Sequence, residues 1–347
     1  MGSIPKVRIV LDAMGGDFAP ANEVAGAVEA IRASHGDLEV LLVGKEDPLR
    51  EVVSRSGAAE LPVSIVHAEE VITMGDSPTA ALKQKRNSSL AIGMMLHKEG
   101  KADGFVSAGN TGAVLSASTL VLGRIKGVSR PTIATAFPSV QGPCLLIDAG
   151  TNVDCRAQHL YEFGVMGSIY ASKYYHYERP TVGLLNVGEE ETKGSTVTQE
   201  AYQLLKQSKL NFIGNIEGKD MLKGKARVMV CDGFVGNILL KFGESVPSFL
   251  KARLLQYAQQ GFWKRLVVGL VRNPLRSSLK DMDYEEVGGV PVLGVNGVSI
   301  IGHGRSTPKA IRNMILKAVD VARAGVNRSI EEALSTTEGS AWPAATF

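Results

Sequence analysis

Gly104-Phe105-Val106-Ser107-Ala108-Gly109-Asn110-Thr111-Gly112 is the stretch that decides the fold. An apolar run of strand length breaks on a glycine turn and opens into a helical pattern reaching about Leu122, the first half of a βαβ unit. Residues 104–123 carry no charge and match a membrane span in length, but their four glycines, three serines, two threonines and Asn110 read instead as a buried strand, a turn and a helix. The same unit recurs on both sides. Residues 7–11 lead into Asp12-Ala13-Met14-Gly15-Gly16-Asp17 and a helix over 21–33, and apolar runs at 40–43 and 63–66 read as further strands. Residues 145–147 lead into Asp148-Ala149-Gly150-Thr151-Asn152, with a helix over about 158–174. Residues 182–185 lead into a polar turn from Asn186 to Gly194, and 228–230 into Cys231-Asp232-Gly233-Phe234-Val235-Gly236-Asn237. Residues 298–301 lead into Gly302-His303-Gly304-Arg305-Ser306, after which Thr307-Pro308 caps and starts a helix to about Ala324.

A parallel sheet built from such units places its strand-to-helix turns along one edge, at the carboxyl ends of the strands, where open α/β sheets bind ligands. Six polar turns are expected to converge there. The 347 residues suggest two domains, and 44% hydrophobic with 21% charged residues excludes a disordered chain. Cys144, Cys155 and Cys231 are odd in number and show no CxxC spacing, which argues against a disulfide framework or a zinc ribbon and fits a reducing cytoplasm. The apolar run at residues 7–11 is too short for a signal peptide.

Glycine turns at helix N-termini present backbone amides to anions, and phosphate is the natural ligand. No turn reads as GxxxxGK[ST] or as a complete GxGxxG with its acidic partner, so nucleotide binding is disfavoured. His303 serves either chemistry or its own turn, and Lys193 is either solvated or a phosphate ligand. His159 reads as a capping or packing residue. Cys231, beside Asp232, is the cysteine to weigh as a nucleophile.

The chain closely resembles the bacterial phosphate acyltransferases of phospholipid synthesis. The resemblance rests on Asp12–Asp17, Lys85-Arg86-Asn87-Ser88-Ser89, Ser107–Ala113, Gly123-Arg124-Ile125-Lys126-Gly127, Asn152-Val153-Asp154, Leu184–Gly188, Asn211-Phe212-Ile213-Gly214-Asn215 and Asp232-Gly233-Phe234, in family order over residues 7–325. It implies an α/β protein of two lobes, each an α/β/α sandwich, similar to the isocitrate and isopropylmalate dehydrogenases and to phosphotransacetylase. The lobes would span 1–105 with 296–335, and 106–295. It also implies a homodimer; no cofactor and no metal ligand are assigned from the sequence. In the implied reaction inorganic phosphate attacks the thioester of a long-chain acyl carrier protein directly, with no covalent enzyme intermediate. A phosphotransacetylase-like acyl-CoA:phosphate transfer is the alternative. On this reading Asn110, Lys193, Asp232 and His303 are the catalytic candidates, and Gly15, Gly16, Gly109, Thr111, Asn152, Asn186, Asn237 and Arg305 bind phosphate or substrate. The chain departs from the family pattern at Arg305, where serine is usual after the glycine, and at Phe18, where histidine is common.

Charge is unevenly distributed. Of 38 basic residues seven lie between Lys251 and Lys280 with no acidic residue among them, so the remainder carries 31 basic against 35 acidic residues, a charge of −4. At 100° per residue from Phe262, the side chains of Phe262, Trp263, Leu266, Val267 and Leu270 share one half of the wheel, opposite Lys264, Arg265 and Arg272. Pro274 is expected to end this helix, and a second helix is expected over 248–260, making a hairpin of 245–281. The pattern is that of an interfacial helix on an anionic membrane; a core or dimer-interface hairpin and docking of the acidic carrier protein are the other readings. Apolar groups where phosphates would lie argue against nucleic acid. The expected location is cytoplasmic, peripheral to the inner face of the cell membrane, where the acyl phosphate would pass to the membrane acyl-phosphate:glycerol-3-phosphate acyltransferase. Residues 336–347 lack periodicity and read as a flexible tail.

Overall fold

Most of the apolar runs become strands buried on both faces, as parallel strands between helical layers must be, while the run at 63–66 forms a partly buried edge strand. The computed structural model describes residues 6–58, 60–278 and 284–335; Lys280 and the tail 336–347 lie outside them. Among the described residues eleven strands form one sheet: β1 (Val7–Asp12), β2 (Leu38–Gly44), β3 (Val63–His67), β4 (Gly104–Ser107), β5 (Thr132–Phe137), β6 (Cys144–Ile147), β7 (Thr181–Leu185), β8 (Asn211–Ile216), β9 (Val228–Val230), β10 (Val290–Leu293) and β11 (Ser299–Ile301). Their spatial order is β3-β2-β1-β4-β11-β10-β5-β6-β9-β7-β8. The helices are α1 (Ala21–Ala33), α2 (Glu46–Arg55), α3 (Pro78–Gln84), α4 (Ser89–Lys98), α5 (Thr111–Ala117), α6 (Ala157–Tyr174), α7 (Thr196–Gln207), α8 (Gly218–Met221), α9 (Gly233–Ala258), α10 (Phe262–Ser278), α11 (Tyr284–Val287), α12 (Pro308–Ala324) and α13 (Val326–Ser335). Strand alternation serves two helical layers. Ile9 and Leu11 of β1 join the core with α1 and α12, while Val10 meets Leu90 and Met94 of α4 on the other face.

The sheet is mixed, which corrects the expectation of one parallel edge. Strands β3, β2, β1, β4 and β11 are mutually parallel. So are β6, β9, β7 and β8. Between the sets stand β10 and β5, each antiparallel to its neighbours, so the two sets run in opposite directions. Register nevertheless brings the turns together. Ile301, the last residue of β11, pairs with Val290; Val292 pairs with Ile133; and Ala134 pairs with Ile147, the last residue of β6. Following these pairs across the joint, the carboxyl ends of β11 and β6 fall about one residue apart in height, roughly 3.3 Å. Each set extends away from that level, and their turns meet at it.

Helix α9 is a single helix of 26 residues with Pro247 inside it, where the sequence suggested a separate start near Ser248. Likewise α10 passes Pro274 and continues to Ser278. A proline removes one backbone donor, but in both helices the turns on either side continue the winding. Helix α10 packs back along α9, with Lys264 Nζ 5.0 Å from the centre of the Tyr257 ring.

Candidate active site

At the end of the first strand set, Ser107 Oγ donates to Asp12 Oδ2 at 2.8 Å and accepts the Gly109 amide at 3.0 Å. Asp12 is buried, and desolvation holds its carboxyl above the usual range against hydrogen bonds from Ser89, Ser107 and the Met14 amide. Gly15 fits between these groups only because it lacks a side chain: a Cβ there would lie 2.7 Å from Asp12 Oδ2 and 2.9 Å from the Gly109 nitrogen. The chain thus runs from a buried carboxyl through a hydroxyl to the backbone of the Gly109 turn. Asn110 holds the same turn from its other side. Its Oδ1 accepts the Ala113 amide at 3.0 Å, capping α5, and its Nδ2 donates to the carbonyls of Thr73, Met74 and Asp76 at 3.3, 3.3 and 3.0 Å. The side chain proposed for catalysis is therefore occupied in shaping the turn.

The turn after β11 is tied to the first turn. Asp17 donates its amide to the Gly304 carbonyl at 2.7 Å, and Asn22 Nδ2 donates to the Ser306 carbonyl at 3.0 Å. His303 Nδ1 accepts the Arg305 amide at 3.2 Å, and its carbonyl accepts the amide and hydroxyl of Ser306. Gly16 lies over Glu23, the third residue of α1, which the sequence reading passed over. Glu23 is 1% exposed, its Oε2 has no hydrogen-bond partner, and burial raises its carboxyl to about 7.

From the second set, Asp148 accepts the amides of Gly150, Thr151 and Asn152 at 2.6–2.9 Å. Asn152 is buried, and its Nδ2 is taken by Asp148 and the Pro131 carbonyl. Asp232 is the N-cap of α9, accepting the Val235 amide at 2.8 Å. The first turn of α9 lies against this backbone: a Cβ on Gly236 would stand 1.8 Å from the Asp148 carbonyl oxygen.

These turns enclose a cavity of about 540 Å³ at the joint between the two strand sets. Five of the site residues expected from sequence line it: Gly109, Thr111, Asn237, His303 and Arg305. The remainder of the wall is largely apolar, with Ile133, Phe137, Leu240, Ile301 and Met314. Gly15, Gly16, Asn110, Asn152 and Asp232 stand behind that wall and set the backbone of its turns. Asn186 and Lys193 are elsewhere, on the turn after β7, which β9 separates from β6. There Asn186 Nδ2 donates to the Lys193 carbonyl at 3.0 Å, closing its own loop.

At Cys231 and Cys155 the surroundings disfavour the thiolate. Burial pushes the Cys231 thiol well above its ordinary range and that of Cys155 up to about 12, with Asp148 and Asp232 reinforcing both. His159 is buried and accepts the Arg156 amide, the capping role expected of it. Phe18 is exposed. On α10, Phe262, Trp263, Leu266, Val267 and Leu270 are all exposed, Trp263 to 77% and Leu270 to 78%. No helix among the described residues is long and apolar enough to cross a membrane.

Comparison with known proteins agrees with the resemblance. Residues 7–329 match the family described as fatty acid synthesis protein. A phosphate acyltransferase of Dictyoglomus turgidum is 46% identical over 332 residues, covering 95% of this chain and 98% of the relative. One of Chlorobaculum parvum is 47% identical, covering 95% and 99%. Among solved structures, a phosphotransacetylase from Streptococcus pyogenes superposes with a TM-score of 0.61 at 18% identity, covering 92% of this chain and 94% of that one. A branched-chain phosphotransacylase from Enterococcus faecalis gives 0.59 at 13% identity, covering 91% and 99%. At those identities the structures speak for the shared fold alone, but the sequence relatives span nearly the whole chain, which therefore belongs to the fatty acid synthesis protein family, among the phosphate acyltransferases.

Proposed function

We propose that the chain transfers a long-chain acyl group from acyl carrier protein to inorganic phosphate, giving acyl phosphate and free carrier. The observation that carries this reading is the cavity itself, with Thr111, Asn237, His303 and Arg305 lining part of a wall that is otherwise largely apolar. Phosphate would be held by Arg305, the Asn237 amide and the Gly109–Thr111 turn, with the thioester carbonyl presented beside it. A phosphate oxygen attacks the carbonyl carbon, the tetrahedral oxyanion collapses, the carbon–sulfur bond breaks, and His303 passes to the carrier thiolate the proton that the attacking hydrogen phosphate gives up. Phosphate is the nucleophile, so the buried cysteines are not needed. Orienting the two reactants can lower the barrier by about 7–11 kcal/mol, and each oxyanion donor by about 2.7–4 kcal/mol. That places the weight of catalysis on the turns and on the residues that hold them, Asp12, Ser107 and Asn110.

We further propose that the two strand sets are the cores of two lobes in a homodimer. The exposed apolar face of α10 would rest on an anionic membrane surface from the cytoplasmic side, beside the membrane acyltransferase that consumes the product. Large apolar side chains contribute about 1.5–3 kcal/mol each on burial and basic residues about 1 kcal/mol each near an anionic leaflet, so insertion outweighs charge. The deciding assay traps acyl phosphate with hydroxylamine from acyl carrier protein thioester plus phosphate, run in parallel with acyl-CoA. Hydroxamate from the carrier thioester supports the reading; hydroxamate from acyl-CoA alone replaces it with a phosphotransacetylase-like activity.

A further inference from the structure

We propose that the cavity has a dedicated aliphatic arm along β5, roofed by α9, and that Phe137 and Gly243 set the length of acyl chain it accepts. The assignment rests on the acyl-transfer reading above. Strand alternation puts Ile133, Thr135 and Phe137 on one face of β5; all three are buried and all three line the cavity. Ile133 marks the end beside the turns, since its carbonyl accepts the Ala149 amide at 2.9 Å. From there to Phe137 the strand leads away from the turn after β6 for about 13 Å. Helix α9 faces this stretch with Leu240 and Gly243, one helical turn apart, while the charged Lys241 and Glu244 beside them are exposed at the rim.

Toward the far end an aromatic ring meets a glycine. A Cβ on Gly243 would lie 3.3 Å from Phe137 Cε2 and 3.6 Å from Cζ, so a larger side chain there would have to enter the arm or displace the ring. Along the β5 side of this stretch the one polar side-chain group is the Thr135 hydroxyl. Such a wall rewards methylene groups and offers little to a phosphate or to the amides of a carrier's prosthetic group. Each methylene taken from water is worth about fourfold in binding. The rate should therefore climb with chain length until the chain reaches Phe137, and level off beyond it.

The test measures kcat/KM for a series of saturated acyl chains of increasing length on the carrier, with wild type, Phe137→Leu and Gly243→Leu. The expected wild-type profile rises about fourfold per added methylene to a break. Phe137→Leu moves the break to longer chains and Gly243→Leu moves it to shorter ones, while turnover of the shortest substrates stays at the wild-type level. That unchanged turnover, with an unaltered unfolding temperature, identifies a folded variant, and either variant alone reads the arm. A break at the same chain length in all three proteins overturns the assignment. So does a raised KM for the carrier in Gly243→Leu with the break unmoved, which would give the arm to the prosthetic group. A wild type that makes no acyl phosphate from any chain refutes the acyl-transfer reading itself, a result distinct from an unshifted break.

Discussion

Replacing Glu23 by Gln should change how stability depends on pH. The carboxyl is 1% exposed at the start of α1, with Oε1 so close to Gly16 that a Cβ there would be 2.2 Å away and with Oε2 unpartnered. Desolvation is the main cause of its rise from 4.5 to about 7; the negative charges of Asp12 and Asp17 add to it, and the amides of Glu23 and Gly16 oppose it. Between those values the folded protein keeps a proton that the unfolded chain has released. Stability contributed by this group is thus complete below about pH 4.5 and is lost as pH rises to 7. Carrying an ionisation at about 7 instead of 4.5 is worth about 3 kcal/mol. With an unfolding entropy of roughly 2.1 cal/mol/K per residue, a chain of this length shifts its Tm by about 4 °C for that energy. Thermal unfolding followed by circular dichroism from pH 4.5 to 8 should show wild type falling by that amount relative to Glu23→Gln. Parallel curves for the two proteins would refute a proton held at Glu23.

Asn237→Ala should lower kcat/KM for phosphate roughly ten- to hundredfold, the loss of one hydrogen bond to a charged group, and unchanged phosphate kinetics would remove Asn237 from the anion site. Lys193→Ala should leave phosphate kinetics unchanged; a fall like that of Asn237→Ala would bring the turn after β7 into the site. Trp263→Glu with Leu266→Glu should abolish pelleting with anionic liposomes while leaving acyl transfer in detergent-free solution intact, and undiminished pelleting would rule out the α10 face as the membrane contact. Lys317, buried on α12 with its Nζ donating to the Gly289 carbonyl at 2.7 Å, is lowered by burial from 10.5 to about 7. The unfolded chain holds the proton that the folded one loses, so wild type should gain stability relative to Lys317→Met as pH rises from 7 to 9.5; a constant difference in urea unfolding would contradict this.

Much of the fold was legible because its signals are local. An apolar run ending in Gly with Asp or Asn, followed by a helical period, needs only neighbouring residues, and strands β1, β4, β6, β7, β9 and β11 with their turns were read that way. The joint was not legible. Strand β5 ends in a turn holding Gly142 that leads into another strand and not into a helix, and β10 reads Val-Pro-Val-Leu, where a proline argues against a central strand; both stand mid-sheet. Glu23 was missed for a related reason. A glutamate in the first turn of a helix looks like a solvated charge favouring the dipole, and only the packing of α1 on α12, with Gly16 above, buries it.

By itself the sequence determined the strands that end in polar turns, the residue types at those turns and the family, because hydrogen bonding along strands and helices and the need of glycine in tight turns act between near neighbours. Only the tertiary structure decided which turns share a cavity. The two strand sets run oppositely, and the register of the four residues of β10 against β11 and β5 lines up their carboxyl ends, so that Thr111, His303 and Asn237 line one cavity while Lys193, on the turn after β7, does not. Register is a pairing between residues about 160 positions apart, such as Val292 with Ile133, and no local pattern encodes it.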